Sequence, residues 1–300
     1  MVSPLFLHMK ATLYLITSAF MWGLNFHLLK IMLSSVHFIE AGFWRYLFGV
    51  AALAIYVRKS FPKWSLFKKH LTGILIVGIL GLFCFNLLLF WGLQYTSSIN
   101  ASLIISLNPI ATICLAYFFL KSSISYQQMT GAFLGVVGVI YLLSKGNLLN
   151  LNLIVFSKGD LLILLAMFLS AFYHIWVKKY TIGISGKHFT FLSNLVCFMS
   201  FALITPFLIK PHAINYGGQF WLTVLTFGVF GTAATYVLWN KGVVIVGASK
   251  AGIFMNIVPF STAIIAVLMG KELTVYHVVS GIFILLGVAI AQMKRRTTMP

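Results

Sequence analysis

Ten polar, aromatic or proline residues interrupt segments of the chain that are otherwise apolar, and their chemistry is that of solute binding. Arginine and asparagine offer hydrogen bonds, whereas tyrosine, tryptophan and histidine combine an apolar face with a polar edge. Proline in a helix leaves a backbone carbonyl without its usual partner. The ten residues are Trp22, Asn25, Arg45, Asn108, Pro109, Tyr173, His174, Trp176, Asn256 and Pro259.

The two prolines, Pro109 and Pro259, each lie near the middle of an apolar segment, beside Asn108 and near Asn256 respectively. In a helix, the carbonyl one turn before each proline loses its partner and must be satisfied by protein or by water in a cavity. The sequence therefore predicts two bent helices that line a central cavity. The alternative is a packing kink whose free carbonyl bonds to a neighbouring hydroxyl.

Arg45 lies about seven residues into its segment, roughly 10 Å along a helix. A charge at such a depth is a functional candidate, because a charged group is costly away from water. At this depth the side chain could also extend to the interface beside Trp44 and Tyr46, or serve a structural pairing. Contact with a solute and a structural role are both open at this point.

Trp22 and Asn25 occupy one segment, and Tyr173, His174 and Trp176 occupy a matching segment later in the chain. Such side chains suit an amphipathic organic solute, which needs apolar faces for its body and a few hydrogen-bonding groups for orientation. The alternative is a belt of aromatic residues at a membrane interface.

The composition requires a membrane: 61% of the residues are hydrophobic and only 8% are charged. The net charge of +18 does not indicate nucleic-acid binding, because the basic residues lie at the ends of apolar segments. Three scattered cysteines, Cys84, Cys114 and Cys197, have no metal-binding spacing, so neither a metal nor a cofactor is expected.

Ten apolar segments are long enough to cross a bilayer as helices. They are residues 11–31, 38–57, 71–93, 98–120, 124–144, 159–178, 188–209, 219–240, 248–269 and 273–293. With the N-terminus in the cytoplasm, 15 of the 21 lysines and arginines fall on the cytoplasmic side and five outside. This bias predicts that both termini are cytoplasmic.

The chain also repeats itself, since residues 101–140 align with residues 251–290 at an offset of 150. Two repeats of five helices each must run in opposite directions through the membrane. The sequence therefore predicts an all-α integral membrane protein of ten transmembrane helices in two inverted repeats. The expected domains are residues 1–146 and 159–300, with an external linker at 147–158.

Several motifs resemble those of EamA-type carriers in the drug/metabolite transporter superfamily. They are Ala19-Phe20-Met21-Trp22-Gly23-Leu24-Asn25-Phe26 with Lys30, Phe43-Trp44-Arg45-Tyr46, Leu93-Gln94-Tyr95-Thr96, Ala101 to Pro109, and Gly131 to Val139. The second repeat offers Ala251, Pro259, Glu272, Gly281 and Gly287-Val288. A glutamate common after the fourth helix is replaced by Leu120-Lys121-Ser122-Ser123. The resemblance implies amino acids, organic acids, amines, sugars or nucleotide derivatives as solutes.

The sequence favours a secondary transporter that works by alternating access on an amino acid or related neutral, zwitterionic or anionic solute. A nucleotide-sugar or sugar-phosphate exchanger is the alternative within carriers, and a sensor or binding protein without flux is the alternative outside them. The chain contains no H-E-x-x-H or G-x-S-x-G motif of an enzyme and no nucleotide-binding loop. A bacterial inner membrane is the expected location.

The only acids, Glu40, Asp160 and Glu272, fall at segment ends, where each is expected to reach water. Without an acid at mid-membrane, a proton-coupled transporter of cations is disfavoured. Gly131 and Gly135 form a G-x-x-x-G motif, which permits close helix contact within one chain or between two chains. A monomer or weak homodimer is expected.

Overall fold

The chain forms a bundle of apolar helices in the computed structural model. The structure describes residues 4–120, 124–147, 157–180, 182–209, 216–246, 254–291 and 293. Within these ranges, eight helices are long and apolar enough to cross a membrane, and two shorter apolar helices complete the bundle. The prediction of an all-α membrane protein with ten transmembrane helices is confirmed.

The first half of the chain contains five spans. They are α1 (Pro4–Leu33), α2 (Phe38–Val57), α3 (Trp64–Leu75, Ile76–Cys84 and Phe85–Leu93 in sequence), α4 (Ser98–Ile105 and Asn108–Leu120) and α5 (Tyr126–Leu143). The second half contains five more. They are α6 (Lys158–Tyr180), α7 (Gly186–Leu208), α8 (Gly218–Leu225, Thr226–Ala234 and Thr235–Val246 in sequence), α9 (Ile257–Leu268) and α10 (Val275–Ala291).

Helices α3 and α8 carry the same backbone irregularity at equivalent positions. Ile76–Cys84 and Thr226–Ala234 are wound as π-helix, and the two ranges differ by the offset of 150 that relates the sequence repeats. A π-helix is rare and occurs mostly in short segments at functional sites. The repeated irregularity therefore makes the middle segments of α3 and α8 candidates for a functional role.

A turn precedes the proline of both α4 and α9, at residues 106–107 and 255–256. In α4, a turn at Ser106 and Leu107 precedes the second part, so Pro109 lies in a first helical turn. Pro259 lies likewise in the first turn of α9. A missing N–H costs little at this position. The turn before each proline lies where the sequence predicted a bend, and the lining of a central cavity by Pro109 and Pro259 stays a prediction.

The carbonyl expected to be free before Pro259 has a partner. The Met255 carbonyl accepts a hydrogen bond of 3.1 Å from the Val258 backbone N–H. Backbone turn geometry thus satisfies this group without a cavity or a neighbouring hydroxyl.

Helices α5 and α10 pack backbone against backbone through glycine. A Cβ atom on Gly131 would lie 2.3 Å from the Gly287 carbonyl oxygen, and one on Gly287 would lie 2.5 Å from the Gly131 carbonyl oxygen. Both glycines are buried. The first glycine of the G-x-x-x-G motif therefore serves contact within this chain.

Candidate functional site

Arg45 is buried in the middle of the bundle, with only 5% of its surface exposed. Its Nε donates a hydrogen bond of 2.9 Å to Thr232 Oγ1, and its Nη1 donates one of 2.9 Å to Asn86 Oδ1. These partners belong to α8 and α3. The alternative in which Arg45 extends to the membrane interface is wrong, because the guanidinium is bonded inside the protein.

Aromatic rings surround the guanidinium of Arg45. Its Cζ lies 4.1 Å from the ring centroid of Phe227, 5.3 Å from that of Tyr46 and 5.5 Å from that of Phe90. Among the described residues, Arg45 has no carboxylate partner. Cation–π attraction and two hydrogen bonds are thus what offset the desolvation of this charge.

Helix α1 meets the same π-helical part of α8 from another side. Asn25 Nδ2 donates a hydrogen bond of 2.8 Å to the carbonyl of Gly231, the residue before Thr232. Asn25 Oδ1 is buried and has no hydrogen-bond partner among the residues that the structure describes. One turn earlier, the Trp22 ring lies 4.9 Å from the ring of Trp239. Asn25 and Arg45 thus bind adjacent residues of α8.

Tyr236 of α8 lies between Trp22 of α1 and Tyr173 of α6 in the packing of the helices. Its ring lies 5.9 Å from that of Trp22. Tyr236 and Tyr173 of α6 both pack against the buried hydrophobic cluster that contains Tyr46, the residue after Arg45. Tyr173 itself packs against Gly81 of α3, where a Cβ atom would lie 2.9 Å from its ring. We call the following set the central cluster: Trp22, Asn25, Arg45, Asn86, Tyr173, Thr232 and Tyr236.

The other predicted site residues lie apart from the central cluster. Asn108 Nδ2 donates a hydrogen bond of 3.3 Å to the Met167 carbonyl and so joins α4 to α6. Trp176 stacks on Phe172, with 5.2 Å between ring centroids. Asn256 lies at the break before α9, and its Oδ1 has no partner among the described residues. 

The two predicted prolines follow helix breaks, and the predicted histidine lies outside the described side chains. Pro109 is half-buried and Pro259 is buried, each in the first turn that follows a helix break. The side chain of His174 lies outside the described part of the chain. Of the ten predicted residues, the structure therefore gathers Trp22, Asn25, Arg45 and Tyr173.

Two cavities open at opposite ends of the bundle. The larger, the Lys30 cavity, has a volume of about 880 Å³, and the smaller, the Lys187 cavity, has about 480 Å³. Along α1, His27 lines the first and Tyr14 lines the second. Thirteen residues of helix span roughly 20 Å. Along α1, Trp22 and Asn25 of the central cluster therefore lie between the residues that line the two cavities.

Polar contacts tie three elements together at the Lys30 cavity. Lys30 Nζ of α1 donates hydrogen bonds to the carbonyls of Leu93 (2.6 Å) and Thr96 (2.9 Å) at the end of α3. Thr96 Oγ1 donates one of 2.6 Å to Asp160 Oδ1 of α6, and Ser157 Oγ donates one of 2.7 Å to Asp160 Oδ2. This chain of bonds holds the ends of α1, α3 and α6 in one arrangement.

Two of the three acids are largely enclosed in such contacts. Asp160 is 4% exposed and Glu40 is 6% exposed, whereas Glu272 is exposed. Glu40 accepts hydrogen bonds from the Tyr216 hydroxyl and, at 3.5 Å, from Trp44 Nε1. Burial raises the pKa of Tyr216, and the bond to Glu40 raises it further. The expectation that every acid reaches water is therefore wrong for Glu40, whereas Asp160, although largely covered, lines the Lys30 cavity.

Sequence reasoning missed Asn86, Thr232 and Tyr236, although the repeat offset relates Asn86 to Tyr236. Asn86 and Tyr236 are exactly equivalent at an offset of 150, as are Gly81 and Gly231 in the two π-helical parts. Extending the alignment of the repeats from α4 and α9 back into α3 and α8 would have found this pattern. The single Asn86 in an otherwise apolar helix was a second signal.

Comparison with known proteins places this architecture in a family. The sequence model of the EamA-like transporter family matches the chain twice, over residues 9–144 and 157–293. The chain belongs to the EamA-like transporter family. It is therefore a multi-pass membrane transporter of a small-molecule solute, and not an enzyme.

Similar members of this family are also named as transporters. The uncharacterized transporter YyaM of Bacillus subtilis is 29% identical over 288 residues, which cover 95% of this chain and 94% of YyaM. An uncharacterized transporter of Archaeoglobus fulgidus is 29% identical over 295 residues, which cover 96% of this chain and all of the relative. A crystal structure with 18% identity superimposes with a TM-score of 0.65 over 94% of this EamA-like chain, which shows a shared fold.

Proposed function

We propose that this EamA-like protein is a secondary transporter that moves a small organic solute by alternating access through the central cluster. The observation that carries the proposal is the position of Trp22 and Asn25 of that cluster along α1, between the residues that line two cavities at opposite ends of the bundle. In this proposal, a solute that enters one cavity passes Trp22, Tyr236 and Arg45 on its way to the other. Inverted-repeat transporters place their solute site in this way, at the interface of the repeats near mid-membrane.

The contacts of the central cluster support a rocking motion of one repeat against the other. Arg45 and Asn25 come from the first repeat, and each binds the π-helical part of α8 in the second. Repacking of these few bonds would let the halves tilt while the solute stays bound. The chain of bonds from Lys30 through Thr96 to Asp160 is placed to restrain the bundle at one end.

The electrostatics of the central cluster favour a neutral, zwitterionic or anionic solute, such as an amino acid or a related metabolite. Arg45 contributes a positive charge, and no carboxylate accompanies it among the described residues. A cationic solute would face an uncompensated loss of hydration there. A nucleotide-sugar or sugar-phosphate exchanger is less well supported, because a phosphate dianion is best bound by several basic groups.

The proposed location is a bacterial inner membrane, with both termini in the cytoplasm and the Lys30 cavity facing outward. The same arrangement assigns the Lys187 cavity to the cytoplasm. This sidedness follows from the distribution of lysine and arginine in the sequence. We further propose that the protein works as a monomer or weak homodimer.

Counterflow in sealed liposomes tests the proposed function. Purified protein is expected to show saturable uptake of labelled solute that is accelerated when unlabelled solute is loaded inside. Because no acid lies in the central cluster, we expect exchange to persist when an uncoupler dissipates the proton gradient. Binding without any flux would identify the chain as a sensor instead. Loss of exchange with the uncoupler would show that a proton is carried with the solute.

A further inference from the structure

We propose that the transported solute carries a single carboxylate group, which binds the free edge of the Arg45 guanidinium. This inference rests on the proposed transport function and narrows its solute class. In this proposal, Arg45 selects the solute by its charge. Thr232 and Asn86 are positioning residues that hold the Arg45 guanidinium in place.

Hydrogen-bonding capacity at Arg45 is left unused in the structure. A guanidinium offers five N–H donors in a fixed planar fork. Thr232 takes one through Nε and Asn86 takes one through Nη1, whereas Nη2 has no partner among the described residues. Three N–H groups are thus available on a residue that is 5% exposed as a whole. A carboxylate accepts two parallel N–H bonds from such a fork.

The two positioning residues are themselves held, so the fork is fixed before a solute arrives. Asn86 Nδ2 donates a hydrogen bond of 2.8 Å to the Leu82 carbonyl, which leaves Asn86 Oδ1 to face Arg45. Thr232 Oγ1 bonds to the Phe227 carbonyl at 3.2 Å. Both carbonyls belong to the π-helical parts of α3 and α8. A fork fixed in this way loses little conformational freedom on binding, which favours affinity.

The charges near Arg45 decide between a carboxylate and a phosphate. Among the described residues, none of the cation–π contacts or hydrogen bonds at this site involves a second cation. One positive charge matches one carboxylate and leaves the second charge of a phosphate dianion unpaired. The Phe227 ring covers one face of the guanidinium at 4.1 Å. The apolar body of the solute is therefore expected to lie against the surrounding aromatic rings.

Ligand-induced thermal stabilisation of the purified protein tests this inference without knowledge of the natural solute. The probes are small carboxylates, each paired with its primary amide, such as phenylacetate with phenylacetamide and L-leucine with L-leucinamide. Inorganic phosphate forms a separate arm. A ligand that binds the folded state raises its melting temperature by mass action. We expect carboxylates among the stabilising probes, and we expect neither their amides nor phosphate to stabilise.

Variants then assign the effect to Arg45. Arg45→Gln is expected to weaken binding of a stabilising carboxylate at least about tenfold, because it removes charge-assisted hydrogen bonds. Arg45→Lys should retain part of the affinity, since it keeps the charge but loses the fork. Thr232→Val should weaken binding between about twofold and tenfold, as expected for one positioning bond. The exposed Arg58→Gln is the matched control and should bind as the wild type does.

Each contrary result has a definite meaning. Equal stabilisation by an acid and its amide, stabilisation by phosphate alone, or no stabilising carboxylate would each overturn the inference, and none of these results needs a folded variant. Full affinity in Arg45→Gln would overturn it as well. Counterflow of a cationic or neutral solute would support the transport function but refute the inference that the solute carries a carboxylate. Carboxylate binding at Arg45 without flux would refute the transport function but support the carboxylate site at Arg45.

Discussion

Alanine at Gly287 is expected to lower the yield of folded protein several-fold, because a loss of about 1–2 kcal/mol in stability can change the cellular abundance of a protein by about that factor. The added Cβ atom would lie 2.5 Å from the Gly131 carbonyl oxygen and 2.7 Å from the Gly135 backbone nitrogen. Backbone atoms cannot rotate away as a side chain can, so α5 and α10 would have to separate. Overpacking in a core typically costs about 1–3 kcal/mol, and a backbone clash should reach the upper end.

Size-exclusion chromatography of detergent-extracted protein measures this effect, and Gly281→Ala provides the control on the same helix. At Gly281 the nearest heavy atom to a new Cβ would be a Leu103 side-chain carbon at 3.6 Å, which is ordinary contact. Gly281→Ala should therefore fold as well as the wild type. Equal yields of the two variants would show that the close glycine contact between α5 and α10 does not support the fold.

Alanine at Gly231 is expected to lower transport at least about tenfold while the folded yield stays within about twofold of wild type. A Cβ atom here would lie 2.0 Å from Asn25 Oδ1. The clash is with the end of a side chain, so Asn25 can turn away and the fold survives. Its 2.8 Å bond to the Gly231 carbonyl is then lost, and with it the link from α1 to the π-helical part of α8.

The control for Gly231 is Gly218→Ala, at the start of the same helix. No heavy atom lies within 4 Å of a Cβ atom built there, so this variant should transport as the wild type does. Initial rates of counterflow, divided by the amount of folded protein in the liposomes, give the comparison. Wild-type rates in Gly231→Ala would show that transport does not need the contact between Asn25 and α8.

The architecture could be predicted from sequence because a membrane imposes simple rules on it. Apolar segments of sufficient length become spans, and the observed helix ends fall near the predicted ones for most spans. The same rules predict Arg45 as a site residue, since a charge in an apolar segment is rare. The sequence pattern does not predict the hydrogen-bond partners of Arg45. Asn86 and Thr232 come from other helices, and their position beside Arg45 depends on tertiary packing.

The breaks in α4 and α9 and the burial of two acids show where local rules stop. Pro109 indicated a bend, but whether a helix bends at a proline or breaks before it depends on the neighbouring turn. Asp160 looked accessible because it begins α6, yet Thr96 from another loop covers it. For Asp160 the deciding partner, Thr96, is distant in sequence and adjacent in space.

Cysteine labelling along α1 tests the central claim, that Trp22 lies on a path open alternately to the two sides of the membrane. In a background without Cys84, Cys114 and Cys197, single cysteines at positions 14, 22 and 34 are treated with a membrane-impermeant thiol reagent from each side. Position 14 lines the Lys187 cavity and position 34 the Lys30 cavity. We expect position 34 to react only from outside, position 14 only from the cytoplasm and position 22 from both sides. Reaction of position 22 from one side alone, or from neither, would contradict alternating access at the central cluster.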